Sequence, residues 1–255
     1  MIDIHCHILP TIDDGAKDVE MALEMAERAV EEGITTIFAT PHHGNGAFDN
    51  FKSSILARVD QLNELVSVAN IPLTILPGQE PRIFGEMVEA YKNEELLSLN
   101  DHHQYILVEF PANHVPRYTN KLFFDLQQQG LTPVIVHPER NSELIENHDL
   151  LYKLVKGGAL TQVTAASVTG HFGKKIQKFS FELINHNLTH FLASDAHNTT
   201  NRTFHLRDAY EKVEQECGSF YRHYLQENPE LLASGQHVYI EPPEQIKKKK
   251  FLGIF

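Results

Sequence analysis

The chain lacks tryptophan, has only two cysteines, and carries fewer basic than acidic residues. Cys6 and Cys217 cannot form a disulfide framework, so a reducing compartment such as the cytoplasm is expected. The 22 Lys and Arg residues against 34 Asp and Glu give a net charge of −12, which argues against a binder of duplex nucleic acid. No apolar run approaches the roughly 18 residues of a membrane-spanning helix, and no basic segment indicates a signal peptide at the N-terminus.

Histidine, by contrast, is abundant, and 16 histidines in a cytoplasmic protein point first to metal binding. The 255 residues, 42% of them hydrophobic, suffice for a sizeable core. No linker interrupts residues 1–241, which are therefore expected to form a single domain. The remaining tail, 242–255, opens with two prolines and ends in the basic and apolar segment 247–255, from Lys247 to Phe255. This segment is expected either to be solvated or to dock weakly on a partner or an anionic membrane surface.

Short apolar runs alternate with amphipathic stretches of helical spacing along most of the chain. Seven strands are predicted, at residues 1–5, 35–40, 72–76, 105–109, 132–137, 160–164 and 188–193. Helices are predicted at residues 18–32, 51–69, 84–91, 119–129, 149–156, 172–185, 202–216 and 229–233. Regular alternation of strand and helix predicts an α/β fold with a parallel sheet, either a barrel or an open doubly wound sheet.

Side chains that can carry chemistry cluster where the predicted strands end. The carboxyl ends of the strands form the active-site face in parallel α/β folds. Six of the seven strand ends carry histidine or a carboxylate, namely His5, His7, His42, Glu80, Glu109, His137, Asp195 and His197. Because unpaired charges are costly in a core, we expect these side chains to form a site at one face of the molecule.

The spacing of these residues favours a metal site. His5 and His7 are two residues apart at a strand end, so they project to the same side, and Asp195 and His197 repeat this spacing. Asp14 follows the first strand, where its Asp-Gly sequence alternatively indicates only a turn. Carboxylates with neutral histidines suit Mn²⁺, Fe²⁺ or Zn²⁺, and a site with several ions hydrolyses phosphoesters. The candidates exceed what one ion can use, so two or three ions are expected.

Three arginines near the predicted site are candidate phosphate ligands. Arg140 closely follows one predicted ligand, His137, and Arg202 follows the last strand's loop. Arg117 is the third candidate. A guanidinium can hold phosphate with two hydrogen bonds and stabilise developing charge. Each of the three is alternatively a surface or salt-bridge residue.

Other phosphate chemistries lack their sequence signatures. Cysteine-based phosphatases place an arginine six residues after the nucleophile, but Ile12 and His223 stand at that spacing from Cys6 and Cys217. No nucleophile elbow, Walker A loop or dinucleotide fingerprint occurs. The sequence therefore excludes a cysteine phosphatase, a serine hydrolase, a nucleotide-driven motor and a dehydrogenase.

Taken together, the motifs resemble the PHP (polymerase and histidinol phosphatase) superfamily. They are His5-Cys6-His7, Asp14-Gly15, Thr40-Pro41-His42, Gly78-Gln79-Glu80, His137-Pro138-Glu139-Arg140 and Ser194-Asp195-Ala196-His197. Their flanking residues are more similar still to the manganese-dependent tyrosine-protein phosphatases of Gram-positive capsule and exopolysaccharide loci. The resemblance covers nearly the whole chain and implies a distorted (β/α)7 barrel, with residues 1–241 as a single PHP phosphoesterase domain.

The resemblance also implies a site with three manganese ions. One ion would take His5, His7, Glu80 and Asp195; the second would share Glu80 and take Glu109 and His137; the third would take Asp14, His42 and His197. Fe, Co, Zn or Mg are also compatible with these ligands. Arg140 and Arg202 match the positions that hold the substrate phosphate.

The reaction implied by the resemblance is hydrolysis of phosphotyrosine by a metal-bridging hydroxide, without a phospho-enzyme. The implied substrate is the tyrosine-rich tail of a cognate bacterial tyrosine autokinase, which lies in the cytoplasm. This activity would regulate capsule or exopolysaccharide synthesis. The sequence does not name the cognate kinase or give the oligomeric state.

Three alternative functions remain open at this point. A small-molecule phosphatase, for example for histidinol phosphate, would share the metal site and differ in its pocket, whose walls are expected at residues 44–50 and 110–118. A nuclease is disfavoured by the net charge of −12 and the lack of a basic stripe. A non-catalytic, metal-stabilised docking module is disfavoured because structural metal sites are closed and use fewer ligands.

Overall fold

Strands and helices alternate along residues 1–247, the part of the chain that this computed structural model describes. The strands are β1 Ile2–Cys6, β2 Thr36–Ala39, β3 His42–His43, β4 Thr74–Pro77, β5 Glu80–Pro81, β6 Tyr105–Val108, β7 Thr132–Val136, β8 Leu160–Thr164 and β9 Phe191–Ala193. The α-helices are α1 Val19–Glu31, α2 Lys52–Val68, α3 Met87–Lys92, α4 Thr119–Gln128, α5 Ser142–Glu146, α6 His148–Lys156, α7 Ala165–Thr169, α8 Lys174–Asn185, α9 Leu206–Cys217 and α10 Ser219–Ala233. The predicted docking segment 247–255 lies outside the described residues, apart from Lys247.

Backbone pairing joins the strands into one parallel ring. The hydrogen-bonded orders are β1-β2-β4, β3-β5 and β6-β7-β8-β9, and every pair is parallel. Parallel bridges between Cys6 and Ala196 and between Arg82 and Glu109 connect these sheets. β2 and β3 are two parts of one interrupted strand, and so are β4 and β5. The ring therefore has seven strand positions. The predicted (β/α)7 barrel is confirmed, and the interruptions are its distortion.

One interruption lies at Gly78, between β4 and β5, where only glycine fits. A Cβ atom there would lie 2.8 Å from a side-chain carbon of Leu99 and 2.9 Å from one of Thr40. The side chains of Leu99 and Thr40 therefore pack directly against the backbone of this segment. Glu80 follows two residues later and is completely buried. The glycine therefore helps to place a candidate ligand.

Apolar side chains cover both faces of the ring. In β6, Leu107 belongs to one hydrophobic cluster, while Ile106 and Val108 belong to the other. Leu232 of α10 joins the smaller cluster. This alternation has the two-residue period of a strand, and burial of both faces is typical of parallel sheets. Polar clusters are therefore expected mainly where the strands end.

The C-terminal helix differs from the prediction. A short helix is predicted at 229–233, whereas α10 begins at Ser219 and contains Pro229. Residues 229–233 are helical as predicted, but the predicted start of the helix is wrong. A tertiary contact offsets the backbone donor that the proline lacks. The carbonyl of Leu225, four residues before the proline, accepts a hydrogen bond from the Tyr210 hydroxyl at 3.2 Å. None of the described helices has the length and apolar character needed to span a membrane.

Candidate metal and phosphate site

The two histidines of the first strand face the end of the ring together. A bulge interrupts the register of β1 before Cys6, and both imidazoles are buried. Their Nε2 atoms lie 3.2 Å apart. The Nδ1 atom of His5 pairs with Gln162 Oε1 at 2.9 Å, and that of His7 pairs with Asp13 Oδ2 at 2.8 Å. Because these partners hold Nδ1, both Nε2 atoms are directed to the same point, as metal-binding histidines require.

Glu80 occupies the centre of the cluster. Its Oε1 atom lies 2.9 Å from His137 Nε2 and 3.4 Å from His5 Nε2. Its Oε2 atom lies 2.7 Å from His42 Nδ1 and 3.4 Å from His7 Nε2. One carboxylate thus faces four imidazoles through two oxygen atoms, which is the arrangement expected of a bridging ligand.

The remaining candidates surround this centre. Asp14 Oδ1 lies 3.4 Å from the Nε2 atoms of both His42 and His197. Asp195 Oδ1 lies 3.4 Å from His7 Nε2. Glu109 Oε2 lies 4.0 Å from His42 Nδ1. The nine predicted ligands therefore meet in one cluster.

Three subsets of these side chains have ligand atoms within 4.8 Å of one another. They are His7, Asp14, His42 and His197; His5, His7 and Glu80; and His42, Glu80 and Glu109. This grouping differs in detail from the assignment that the family resemblance implied. His7 also lies with the Asp14 group, and His42 also lies with Glu109. Neither His137 nor Asp195 belongs to these three subsets, although each lies within 3.5 Å of a member.

The backbone is bent where it presents two of these side chains. His137 has φ 38° and Asp195 has φ 54°, both in the left-handed region that non-glycine residues rarely adopt. The backbone also approaches its neighbour closely at Gly15, where a Cβ atom would lie 2.0 Å from the carbonyl oxygen of His7. The loop that carries Asp14 therefore packs directly on the first strand.

Burial and charge act in opposite directions on the imidazoles. Burial lowers the pKa of His42, but the Glu80 and Asp14 carboxylates together outweigh this effect and raise the pKa to about 10. Burial lowers the pKa values of His137 and His197 to about 4. Protonated and neutral imidazoles therefore lie side by side, and binding of a cation would favour the neutral, ligating form.

The chemistry of the cluster fits divalent metal ions. Three of its buried polar atoms, His42 Nδ1, Glu80 Oε2 and His197 Nε2, make no hydrogen bond of suitable angle among the described residues, although His42 Nδ1 and Glu80 Oε2 lie only 2.7 Å apart. Such atoms are costly unless they are paired. Imidazole nitrogens and carboxylate oxygens are suitable ligands for Mn²⁺, Fe²⁺ or Zn²⁺. Bound metal ions would pair with all three atoms.

A cavity of about 360 Å³ adjoins the cluster. Arg140 and Arg202 both line it. Arg140 Nη2 donates to Asp195 Oδ2 at 2.6 Å, and Arg202 Nη1 donates to Asp14 Oδ2 at 3.2 Å. The third candidate, Arg117, is exposed and does not line this cavity.

The two predicted wall segments contribute differently. Phe110 and Ala112, from the segment 110–118, line the cavity. From the segment 44–50, Phe48 lies nearly parallel to the His42 ring, with centroids 6.3 Å apart. Asp14 is exposed, so the cluster opens to the surface on that side.

Sequence reasoning missed three residues of the site. Asp13 and Gln162 hold candidate ligand histidines, and Arg82 lines the cavity and donates to both oxygens of Glu109, at 2.8 and 3.1 Å. Asp13 and Arg82 adjoin or nearly adjoin predicted ligands in the sequence, which was an available signal. Gln162 lies in the middle of a strand and carried none.

The fold and the cluster define a class of protein: a parallel barrel of seven strands with a histidine and carboxylate site at the carboxyl ends, suited to divalent metals. The chain belongs to the family described as "Capsular polysaccharide synthesis, CpsB/CapC", whose model matches residues 1–233.

Relatives of known name and structure agree with this membership. The chain is 51% identical over 255 residues to the tyrosine-protein phosphatase YwqE of Bacillus subtilis, covering all of both chains. It is 30% identical over 224 residues to the tyrosine-protein phosphatase CpsB of Streptococcus pneumoniae, covering 86% of this chain and 92% of that one. A solved structure from work on YwqE and CpsB, described as unique metal-dependent tyrosine phosphatases, superposes with a TM-score of 0.95 at 51% identity, covering 97% of this chain and 100% of that one. A lactonase from Listeria monocytogenes shares the fold alone. It is 9% identical and superposes with a TM-score of 0.52, covering 89% of this chain and 93% of that one.

Proposed function

We propose that this chain is a metal-dependent protein-tyrosine phosphatase, a phosphoric monoester hydrolase that acts in capsule or exopolysaccharide synthesis. The full-length identity of 51% to a tyrosine-protein phosphatase supports the reaction class. Residues 1–241 are its single phosphoesterase domain. Its nine ligands are His5, His7, Asp14, His42, Glu80, Glu109, His137, Asp195 and His197.

The cavity beside the cluster is the observation that carries this proposal. Its wall combines cationic and apolar side chains in one space of about 360 Å³. Arg140 and Arg202 supply the cations, while Phe110 and Val136 are among the apolar lining residues. A phosphate joined to an aromatic ring needs both surfaces, since guanidinium groups bind the anion and apolar groups contact the ring.

Arg140 and Arg202 hold the substrate phosphate in this proposal. Both arginines pair with carboxylates of the ligand set, Asp195 and Asp14. The arginines therefore lie close to the proposed metal ligands. A bound phosphate would lie between the arginines and these ligands. Two or three Mn²⁺ ions, when bound, activate water and neutralise phosphate charge.

The substrate is the phosphotyrosine tail of a bacterial tyrosine autokinase, in the cytoplasm. An exposed peptide tail can reach the cluster because Asp14, at its edge, is exposed. The net charge of −12 disfavours nucleic acid as a substrate. A tyrosine-rich tail also presents the aryl phosphate that the cavity wall suits.

Phosphate release from a tyrosine-phosphorylated kinase-tail peptide tests the proposal. The full chain is assayed with Mn²⁺ and with chelator, beside histidinol phosphate as a small-molecule substrate. We expect metal-dependent release from the peptide at a much higher kcat/KM than from histidinol phosphate. The variants Asp195→Ala and His197→Ala are expected to lose this activity, because each removes a ligand.

An exposed acidic residue on α2 provides the matched control. The variant Asp60→Ala makes the same change outside the cluster and is expected to retain activity. Turnover of histidinol phosphate alone would contradict the protein substrate and leave the metal site intact. Absence of any metal-dependent turnover would contradict the enzyme assignment itself.

A further inference from the structure

Phe172 is a large apolar side chain that lies beside the candidate phosphate site with 38% of its surface exposed. The Cζ atom of Arg140 lies 5.4 Å from the centroid of its ring, within the range of a cation–π contact. Arg140 also donates to Asp195 from Nη2 at 2.6 Å and lines the cavity. A carboxylate and an aromatic ring thus hold the same guanidinium.

The loop that carries Phe172 is well fixed. It connects α7 to α8 and is flanked by Gly170 and Gly173, with φ 93° and 89°. The Gly173 N–H donates to the Gly170 carbonyl at 3.0 Å, which closes a tight turn. The ring of His171 stacks on His205, with centroids 3.9 Å apart. The ring of Phe172 is therefore presented by a turn that hydrogen bonds and a neighbouring ring stabilise.

We propose that Phe172 is a positioning residue for the substrate phosphate, because its ring fixes the orientation of the Arg140 guanidinium. The guanidinium has five N–H donors in a planar fork, and the bond to Asp195 needs only one of them. A ring beside the guanidinium restricts its rotation, and the other donors stay available to a phosphate in the cavity that Arg140 lines. Less entropy is then lost when a phosphate binds. This inference rests on the proposed function in one respect, that Arg140 holds phosphate.

Calorimetric titration of the manganese-loaded full chain with inorganic phosphate tests the role of Phe172 without any turnover. Phe172→Leu retains an apolar side chain but removes the ring, and we expect phosphate to bind about two- to five-fold more weakly, the equivalent of an exposed cation–π contact. Phe172→Tyr retains the ring and is expected to bind phosphate as the unaltered chain does. Phe124→Leu, at a site on α4 that is 59% exposed, is the matched control and is expected to change nothing.

A double-mutant cycle separates positioning of Arg140 from direct contact with the ligand. In the Arg140→Ala background, Phe172→Leu is expected to cause no further loss of phosphate affinity, because the group that it positions is gone. A further loss of equal size would overturn the positioning role, as would an unchanged affinity in Phe172→Leu alone. If phosphate binding follows the expectation but phosphotyrosine peptide is not hydrolysed, the proposed function fails and the role of Phe172 stands.

Discussion

At the scale of single residues, the partners of the candidate ligand histidines decide which ring nitrogen faces the site. Asp13 accepts from His7 through one oxygen and from the backbone N–H of Gly15 through the other. The oxygen that faces His7, Oδ2, also accepts a hydrogen bond from the backbone N–H of His42 at 3.2 Å. One buried carboxylate therefore orients a ligand and ties two loops to it.

The variant Asp13→Asn should weaken metal binding about 10- to 100-fold, the usual cost of losing a partner of a ligand histidine. An amide is a poorer acceptor than a carboxylate, and it stabilises the ligating form of His7 less well. Competition with a fluorescent chelator measures the affinity. Asp60→Asn, at the exposed site on α2, is the control. An unchanged affinity in Asp13→Asn would show that His7 needs no partner.

His190 makes stability depend on pH far from the ligand cluster. Burial lowers its pKa from 6.5 to about 3, and its Nδ1 atom accepts the N–H of Thr161 at 3.1 Å. Between these two values the unfolded chain binds a proton and the folded chain does not. The contribution of neutral His190 to the unfolding free energy is therefore fully present above about pH 6.5 and is lost as the pH falls below that value.

The variant His190→Asn should reduce this loss, since its side chain does not titrate. From pH 7 to pH 5, the unaltered chain is expected to lose about 2 kcal/mol more of its unfolding free energy than the variant. Urea unfolding measures the free energies of the unaltered chain and of the variant. Chelator is present so that metal release does not contribute. His223→Asn, which makes the same substitution at an exposed position, is the control. Parallel pH profiles for His190→Asn and the unaltered chain would contradict the prediction.

At the scale of elements, α10 shows how a tertiary contact overrides local preference. Proline in a helix interior normally costs about 3 kcal/mol, partly because the carbonyl four residues earlier loses its donor. Here Tyr210, a buried residue of α9, donates its hydroxyl to that carbonyl, on Leu225. The helix therefore continues through Pro229.

The variant Tyr210→Phe should lower the unfolding free energy by about 1–2 kcal/mol, because it leaves a buried carbonyl without a donor. In the Pro229→Ala background the loss should be smaller, since the restored backbone N–H can donate to Leu225 instead. Tyr239→Phe, at a 56% exposed tyrosine, is the control. Denaturant unfolding measures all four variants. Equal losses in both backgrounds would contradict this account of α10.

At the scale of the whole molecule, the ligand cluster connects distant parts of the ring. His5 belongs to β1, Glu80 to β5, and His137 follows β7. Asp195 follows β9 and pairs through its backbone N–H with the carbonyl of His5 at 2.9 Å. A bound metal ion would therefore join strands from opposite ends of the sequence, and only in the folded state.

Manganese should accordingly stabilise the fold as a whole. At a free concentration 100 times the dissociation constant, the gain is about 2.7 kcal/mol for one site. We expect the thermal unfolding midpoint to rise with added Mn²⁺ and to fall again with chelator. Glu80→Gln, which removes the central carboxylate charge, should abolish most of this response. A thermal unfolding midpoint that does not change with added metal in the unaltered chain would contradict the metal site.

The sequence by itself determined the alternation of strands and helices and the identity of the side chains at the strand ends. Parallel strands align their carboxyl ends, so local patterns predict that His5, Glu80, His137 and Asp195 meet. The seven strand positions followed from the same patterns. These patterns left a barrel and an open doubly wound sheet both possible, and the family resemblance implied the barrel.

Only the tertiary structure decided how these residues are held and grouped. The orientation of His5 depends on Gln162, which lies 157 residues away, and that of Arg140 on Phe172 in a separate loop. The continuation of α10 through Pro229 depends on a hydroxyl from another helix. Such contacts join side chains that are distant in sequence, and their geometry depends on packing and rotamers that no local pattern specifies.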